Sequence, residues 1–113
     1  MSDKKYFDPA DLAKFGTITE LQKQMGGKFF EWYGSVFEGD SALTEREKSL
    51  IALAVAHAVQ CPYCIDAYTS TCLEKGADEE QMMEAVHVAA AIKGGSTLVY
   101  GVQMKNQAEK LSM

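Results

Sequence analysis

The feature that most constrains this chain is a helix-start signal that occurs twice, each time shortly before an apolar stretch. Thr44–Glu47 and Asp78–Gln81 both match the capping-box pattern, in which each end residue uses its side chain to bond the other's backbone amide. The stretches that follow, Leu50–Val59 and Ala85–Ile92, are apolar almost throughout. No segment alternates polar and apolar residues over a useful length. We therefore predict an all-α fold without strands, with Leu50–Val59 as the central buried helix.

Proline, glycine and cap residues divide the rest of the chain into further helices. We predict that these run from Pro9 to Phe15, from Thr17 or Thr19 to Phe37, from Pro62 to about Lys75, and from Ser96 to about Leu111. Gly16 and Gly76 are expected to end helices, and the pairs Gly26–Gly27 and Gly94–Gly95 to interrupt them. Together with the two capped helices, this predicts a bundle of about six helices in one domain, residues 1–113.

The composition excludes several classes of function. The chain has 113 residues, 47% hydrophobic and 24% charged, which is typical of a globular protein that dissolves in water. Its net charge of -5 and its lack of a basic run argue against binding to nucleic acid or to a membrane surface. The longest apolar stretch is too short to cross a bilayer, and the N-terminus lacks the apolar core of a signal peptide. We therefore expect a cytoplasmic protein that gains core by forming homo-oligomers.

The motif Cys61-Pro62-Tyr63-Cys64 opens the helix that follows the central one. In a reducing compartment, such a pair is typical of redox or metal chemistry, and an odd total of three cysteines does not suit a disulfide scaffold. Cys61, Cys64, Tyr68 and Cys72 share one helix face with Ile65. Across the first turn Cys61 and Cys64 can form a disulfide, and the free amides and the helix dipole there lower the pKa of a thiol.

Two other interpretations of these cysteines remain open. They can be two small thiols packed in a core, or part of a metal site in which His57, Cys61 and Cys64 are joined by Cys72 or His87. The lack of a second Cys-x-x-Cys makes the metal site the weaker interpretation. Cys72 lies too far along the helix to pair with Cys64, so we predict that it is a free, buried thiol.

The stretches Leu50–Ala56 (LIALAVA) and Cys61–Ala67 (CPYCIDA) resemble the core of the carboxymuconolactone decarboxylase and alkylhydroperoxidase AhpD-like family, over roughly Leu43 to Val102. The aromatic segment Lys28–Glu38 and the segment Ala85–Gly95 are similar to its arsenosugar-biosynthesis-associated peroxidase-like branch. From helical spacing alone, the aromatic residues Phe29, Phe30, Tyr33 and Phe37 form a packing face.

The resemblance implies an AhpD-like helical bundle, homo-oligomers that are trimers or hexamers, and peroxide reduction by the two motif cysteines, which then become a disulfide. It also implies that Cys64 attacks the peroxide and that Cys61 resolves the product. The position of the helix terminus favours Cys61 as the more reactive thiol instead, because it is nearest the N-cap. We follow the resemblance and assign the attack to Cys64.

The chain departs from this family pattern at two positions. The pattern has Glu twelve residues before the first cysteine and His four residues after the second, where this chain has Ser49 and Tyr68. Tyr68 can hydrogen-bond a sulfur or a peroxide oxygen, but a phenol with a pKa near 10 is a poor base at neutral pH. His57, His87, or Glu47 acting through water are the candidate replacements for the missing base.

Three functions are therefore considered. We predict a thiol oxidoreductase of the peroxidase type, with a hydroperoxide or disulfide substrate, a lipoyl or thioredoxin-like dithiol as reductant, and neither cofactor nor metal. Its predicted catalytic residues are Cys64, Cys61, Tyr68, His57 and Ser49. The alternatives are a carboxymuconolactone-type decarboxylase, which does not need paired thiols, and a non-catalytic binder of a metal or of a metalloid such as arsenite.

Overall fold

Six helical segments and no strand account for residues 7–112, the part of the chain that the structure, a computed structural model, describes. An N-terminal 3-10 helix (Pro9–Leu21) is followed by α1 (Lys23–Phe37), α2 (Glu45–Ala58), α3 (Pro62–Glu74), α4 (Glu79–Val99) and α5 (Gly101–Ser112). The prediction of an all-α fold of about six helices is confirmed for this part of the chain.

Both predicted capping boxes are present at the starts of α2 and α4. The Glu47 amide donates to the Thr44 hydroxyl at 3.1 Å, and the Thr44 amide donates to the Glu47 carboxylate at 2.9 Å. At α4, the Gln81 amide donates to Asp78 at 2.8 Å, and the Asp78 amide donates to the Gln81 side chain at 3.0 Å. Each box satisfies two amides that a helix start otherwise leaves without partners.

The glycine-based boundaries were wrong in three places. Gly26–Gly27 lies inside α1, Gly94–Gly95 lies inside α4, and the first helix continues past Gly16 to Leu21. A glycine in a helix costs about 1 kcal/mol relative to alanine, but it keeps both backbone hydrogen-bonding groups, so it does not force a break. Gly26 allows α1 to pack closely against the 3-10 helix, because a Cβ at this position would lie only 2.8 Å from the Cβ of Thr19.

The predicted hydroxyl caps also have other roles. Ser96 donates its hydroxyl to the Lys93 carbonyl inside α4, and Thr17 and Thr19 donate to carbonyls within the 3-10 helix. The second helix instead starts after Gln22, which has no side-chain cap bond. These hydroxyls satisfy preceding carbonyls, as serine and threonine side chains do within helices.

The core lies where α2 packs between α3 and α4. A cluster of buried residues fills this space, with Leu50 and Tyr68 packed against it: Leu53, Cys72, Ala77 and Met82. Gly76, with a φ of +89°, reverses the chain between α3 and α4, as its predicted role as a helix stop requires. Lys93 adds a link, since its Nζ donates to the Ala58 carbonyl at the end of α2 at 2.9 Å.

Residues 90–112, which we call the C-terminal arm, extend away from this core. All of them are exposed except the half-buried Gly101. The radius of gyration is 19.2 Å, whereas a compact domain of this length has about 13 Å. The arm therefore makes the chain elongated.

The prediction for α2 holds only in part. The helix is central, since it packs against α1, α3 and α4. Its outer face is not buried within one chain, however, because Ile51, Val55 and Val59 are 50%, 52% and 65% exposed. No element of the described chain covers that face, although its residues are apolar.

Candidate active site

A sharp turn joins the central helix to the cysteine motif. Gln60 has a φ of +56°, a left-handed backbone conformation that costs a non-glycine residue roughly 1–2 kcal/mol. The turn lets the Cys61 amide donate to the Ala56 carbonyl at 3.0 Å. The strained residue therefore brings the end of α2 directly to the start of α3, and nothing in the sequence signalled it.

The two motif cysteines lie in the first turn of α3, as predicted. Cys61 is the N-cap residue, Pro62 is the first helical residue, and the Cys64 amide donates to the Cys61 sulfur at 3.3 Å. The two sulfurs are bonded to each other, with the Cα atoms 5.2 Å apart. Both sulfurs therefore lie where the helix dipole and the unpaired amides stabilise a thiolate in the reduced protein.

An apolar cavity of about 440 Å³ opens beside both cysteines, between the 3-10 helix, α1 and α3. The residues that line it are mostly apolar or aromatic, among them Leu12, Phe15, Ile18, Tyr33, Ala67 and Tyr68. The 3-10 helix forms one wall, and the Tyr63 hydroxyl reaches Asp11 of this helix at 3.5 Å. We call this the cysteine cavity.

A second apolar cavity, of about 370 Å³, lies between α1, α2 and α3. It includes the exposed face of α2 and also reaches Cys64 and Tyr68. Of the two cysteines, Cys64 therefore lines both cavities, whereas Cys61 lines only the cysteine cavity.

The cysteine cavity contains a pair of tyrosines that the sequence did not predict. The hydroxyl of Tyr33, on α1, forms a hydrogen bond with the hydroxyl of Tyr68, on α3. Phe37 stacks on Tyr68 with ring centroids 5.1 Å apart, and it also lies 5.1 Å from the ring of Tyr33. Burial raises the pKa of Tyr33, so this phenol stays protonated at neutral pH. The helical spacing of Tyr33 indicated packing, and no sequence signal indicated this contact.

Two predicted site residues lie elsewhere. Ser49 is only 2% exposed, and its hydroxyl donates to the Glu45 carbonyl at 2.8 Å. His57 is half-buried with Nδ1 2.8 Å from the Leu53 carbonyl, so this nitrogen carries the proton. Within residues 7–112, neither side chain is among those that line the two cavities. The structure thus brings together Cys61, Cys64 and Tyr68, and the catalytic roles of the other two stay predictions.

The remaining candidates for a base, Glu47 and His87, do not line either cavity within residues 7–112. Glu47 is engaged in its capping box, where the hydrogen bond from the Thr44 amide lowers its pKa and makes it a weaker base. His87 is exposed on α4.

Cys72 is fully buried and has no disulfide partner, as predicted, and its burial raises the pKa of its thiol.

In the described part of the chain, no three His, Cys, Asp or Glu side chains come together in a way that could hold a metal ion. Nor does any helix within residues 7–112 combine the length and apolar composition that spanning a membrane requires.

Comparisons with known proteins give a consistent result. The model of the carboxymuconolactone decarboxylase family matches residues 24–104. An uncharacterised protein of Paracoccus denitrificans, protein 4 in the cox locus, is 46% identical over 92 residues, which cover 81% of this chain and 82% of that protein. The apo crystal structure of a carboxymuconolactone decarboxylase family protein from Legionella pneumophila matches with a TM-score of 0.62 and 31% identity, over 82% of this chain and 80% of that one.

Proposed function

Because this chain belongs to the carboxymuconolactone decarboxylase family, we propose that it is a thiol-dependent peroxidase that cycles Cys61 and Cys64 between dithiol and disulfide. One observation carries this proposal. The two cysteines lie in the first turn of α3, within bonding distance of each other and open to an apolar cavity. This arrangement supplies a stabilised thiolate, a second thiol within reach and room for a substrate.

In the proposed cycle, Cys64 is the attacking thiol and Cys61 the resolving thiol. An ordinary cysteine has a pKa of about 8.5, so only a few per cent is thiolate at neutral pH, and the helix terminus increases this fraction. Support for Cys64 comes from its position between both cavities and from Tyr68, which lies one turn further along the same helix face. The Cys64 amide donates a hydrogen bond to the Cys61 sulfur. This bond stabilises the Cys61 thiolate for the second step.

The lining of the cysteine cavity supports an organic hydroperoxide as substrate. A cavity of about 440 Å³ with mostly apolar walls accommodates an alkyl or aryl group, with the peroxide group at the sulfurs. Regeneration of the dithiol requires an external dithiol, and we propose a lipoyl or thioredoxin-like group. We also propose a cytoplasmic location, because a reducing compartment maintains such a cycle.

The geometry gives less support to the two alternatives. A decarboxylase of this family type would bind a carboxylate substrate, but the basic residue that lines the cysteine cavity, Lys14, lies 3.5 Å from Asp11 in an ion pair. A binder of arsenite would benefit from a third thiolate near Cys61 and Cys64. Cys72 is buried in the core and, within residues 7–112, does not line either cavity with them.

Two finer assignments belong to the same proposal. The aromatic segment Lys28–Glu38, which supplies Tyr33 to the site, and the segment Ala85–Gly95 support the arsenosugar-associated peroxidase-like branch of the family. The exposed apolar face of the C-terminal arm supports a homo-oligomer, for which the family resemblance implies a trimer or hexamer.

The test is oxidation of the reduced protein by cumene hydroperoxide, followed by free-thiol counting and intact mass. We expect the loss of two thiols and two hydrogens in the wild type. Cys61→Ser should accumulate a sulfenic acid on Cys64, and Cys64→Ser should react slowly. Cys72→Ala is the matched control and should behave as the wild type. A wild type that keeps its thiols in excess peroxide would refute the proposal, and a sulfenic acid that accumulates in Cys64→Ser instead would reverse the two roles.

A further inference from the structure

The proposed cycle gives no role to Tyr33 of α1, whose hydroxyl forms a hydrogen bond with that of Tyr68 of α3 in the apolar wall of the cysteine cavity. Tyr33 and Tyr68 are both half-buried and are 35 residues apart in the chain. Phe37 packs against both rings. A hydroxyl buried in an apolar wall costs free energy unless it is hydrogen-bonded, and the bond between the two phenols satisfies one O–H donor and one oxygen acceptor.

We propose that Tyr33 is a positioning residue that holds the Tyr68 hydroxyl in the cysteine cavity, where Tyr68 acts as the proton donor to the alkoxide that leaves when Cys64 attacks the peroxide. This inference rests on the proposed peroxidase function. A pair of phenols shares one hydrogen bond, so one of them donates and the other keeps a free O–H group. Tyr68 lies one helical turn beyond Cys64, whereas Tyr33 reaches the site from α1. When Tyr33 donates, the Tyr68 proton is therefore free for a peroxide bound in a cavity that Tyr68 and Cys64 both line.

The other ionisable side chains that line the cysteine cavity are poorly suited to this role. Asp11 and Lys14 form an ion pair on the 3-10 helix, with their side chains 47% and 73% exposed. An ionised carboxylate has no proton to give, and Tyr63 donates its own hydroxyl to Asp11. Tyr68 is thus the donor that shares a helix face with Cys64.

The first chemical step needs an acid rather than a base. The Cys64 thiolate attacks the terminal oxygen of the hydroperoxide, an S–O bond forms, the O–O bond breaks, and an alkoxide leaves. The sulfur is oxidised to a sulfenic acid and the peroxide is reduced. The conjugate acid of an alkoxide is about as weak an acid as water and far weaker than an ordinary phenol, which has a pKa of about 10, so a phenol protonates the alkoxide readily. The poor basicity of Tyr68 is therefore no obstacle.

The second step uses the phenolate that the first step leaves. Ordinary phenols have a pKa of about 10 and ordinary thiols one of about 8.5, so a phenolate is the stronger base: it takes the proton of Cys61, and Tyr68 returns to its neutral form. The Cys61 thiolate then attacks the sulfenic acid, the disulfide forms, and hydroxide leaves. The hydroxide becomes water with the proton that Cys64 first released to solvent. Two thiols and one hydroperoxide thus give one disulfide, one alcohol and one water.

Tyr33 acts through Tyr68 in both steps. Its O–H group donates to the phenolate oxygen as charge develops there, and a hydrogen bond to a charged group is stronger than one between neutral groups. Three aromatic side chains hold its ring in place: Phe29, Phe30 and Phe37, with centroids 5.6, 6.4 and 5.1 Å away. The aromatic face of α1 thereby holds the Tyr33 hydroxyl in the cysteine cavity.

The experiment compares two reactions of the reduced, full-length protein: single-turnover oxidation by cumene hydroperoxide and alkylation by iodoacetamide, each measured at Cys64. Both need the thiolate, but the departing iodide needs no proton. We expect Tyr68→Phe to slow the peroxide reaction about 100-fold and Tyr33→Phe about tenfold. Alkylation should stay within about twofold of the wild type, as should both reactions in Tyr100→Phe, which removes an exposed phenol from the C-terminal arm.

The double variant separates a positioning role from an independent one. Because Tyr33 acts through Tyr68, Tyr33→Phe with Tyr68→Phe should be no slower than Tyr68→Phe alone. Multiplied effects, an unchanged peroxide rate in Tyr33→Phe, or an equal loss in both reactions would each overturn the inference while leaving the peroxidase function standing. A wild type inert to peroxide would refute the function itself, and this role with it.

Discussion

The exposed apolar surface of the C-terminal arm predicts that the chain assembles with copies of itself, and Ile92→Asp tests this. The accessible surface of the chain is 9015 Å², whereas a compact monomer of 12.4 kDa has about 6,100 Å². The excess, about 2,900 Å², is at least what one subunit contributes to an obligate interface, roughly 1,000–2,500 Å². Ile92, Leu98, Val99 and Val102 contribute to this surface, with 58–78% of each exposed.

The magnitude follows from the exposure of Ile92. Covering an isoleucine completely stabilises by about 1.5–3 kcal/mol, so covering the 69% that is exposed here contributes about 1–2 kcal/mol for each chain. The Ile92→Asp variant loses this contribution. In addition, burying an unpaired carboxylate in the interface costs several kcal/mol of association free energy. A total of at least about 3 kcal/mol weakens each contact more than 100-fold, because 1.4 kcal/mol corresponds to a factor of ten.

Sedimentation velocity between about 1 and 100 µM measures the effect, because a 100-fold weakening shifts the oligomer toward monomer within such a concentration range. The wild type should sediment as an oligomer, and Ile92→Asp as a monomer that keeps its helical circular dichroism. Asn106→Asp, on an exposed polar position of the same arm, is the control and should assemble as the wild type does. A wild type that remains monomeric at the highest concentration, or an Ile92→Asp variant that assembles normally, would refute the reasoning.

Three further predictions concern stability, and each is checked by urea or thermal unfolding. Gln60→Gly should stabilise the protein by about 1 kcal/mol, because glycine adopts the left-handed conformation at φ +56° without strain; an unchanged or lower stability would contradict this. Leu53→Ala should destabilise by about 3–4 kcal/mol, because the side chain is 2% exposed at the centre of the core, whereas Val59→Ala, at an exposed site, should cost much less. Burial raises the pKa of Cys72, so the unfolded chain loses that proton first as the pH rises. Stability should therefore fall above about pH 8.5, and a reduced Cys72→Ala variant should show a shallower fall; parallel pH profiles of the two proteins would refute the cause.

Local features of the sequence determined the starts of α2, α3 and α4 and the placement of the cysteine motif. The capping boxes at Thr44 and Asp78, the stop at Gly76 and the Pro62 helix start depend on residues within one turn of each other, so they could be predicted without knowledge of the fold. The proximity of Cys61 and Cys64 is of the same kind. The family resemblance, carried by the apolar helix and this motif, was likewise confirmed.

The tertiary structure decided what depends on distant parts of the chain. Whether Gly26–Gly27 breaks a helix depends on the balance between a local cost of about 1 kcal/mol per glycine and the packing along the rest of α1. The bond between Tyr33 and Tyr68 depends on how α1 crosses α3, and helical spacing shows only that Tyr33 is on the aromatic face. The exposure of Val55 depends on which element covers α2. The hydrophobic pattern indicates which side chains favour burial. Whether they are buried depends on a second surface that packs against them, and that surface comes from a distant part of the chain or from another molecule.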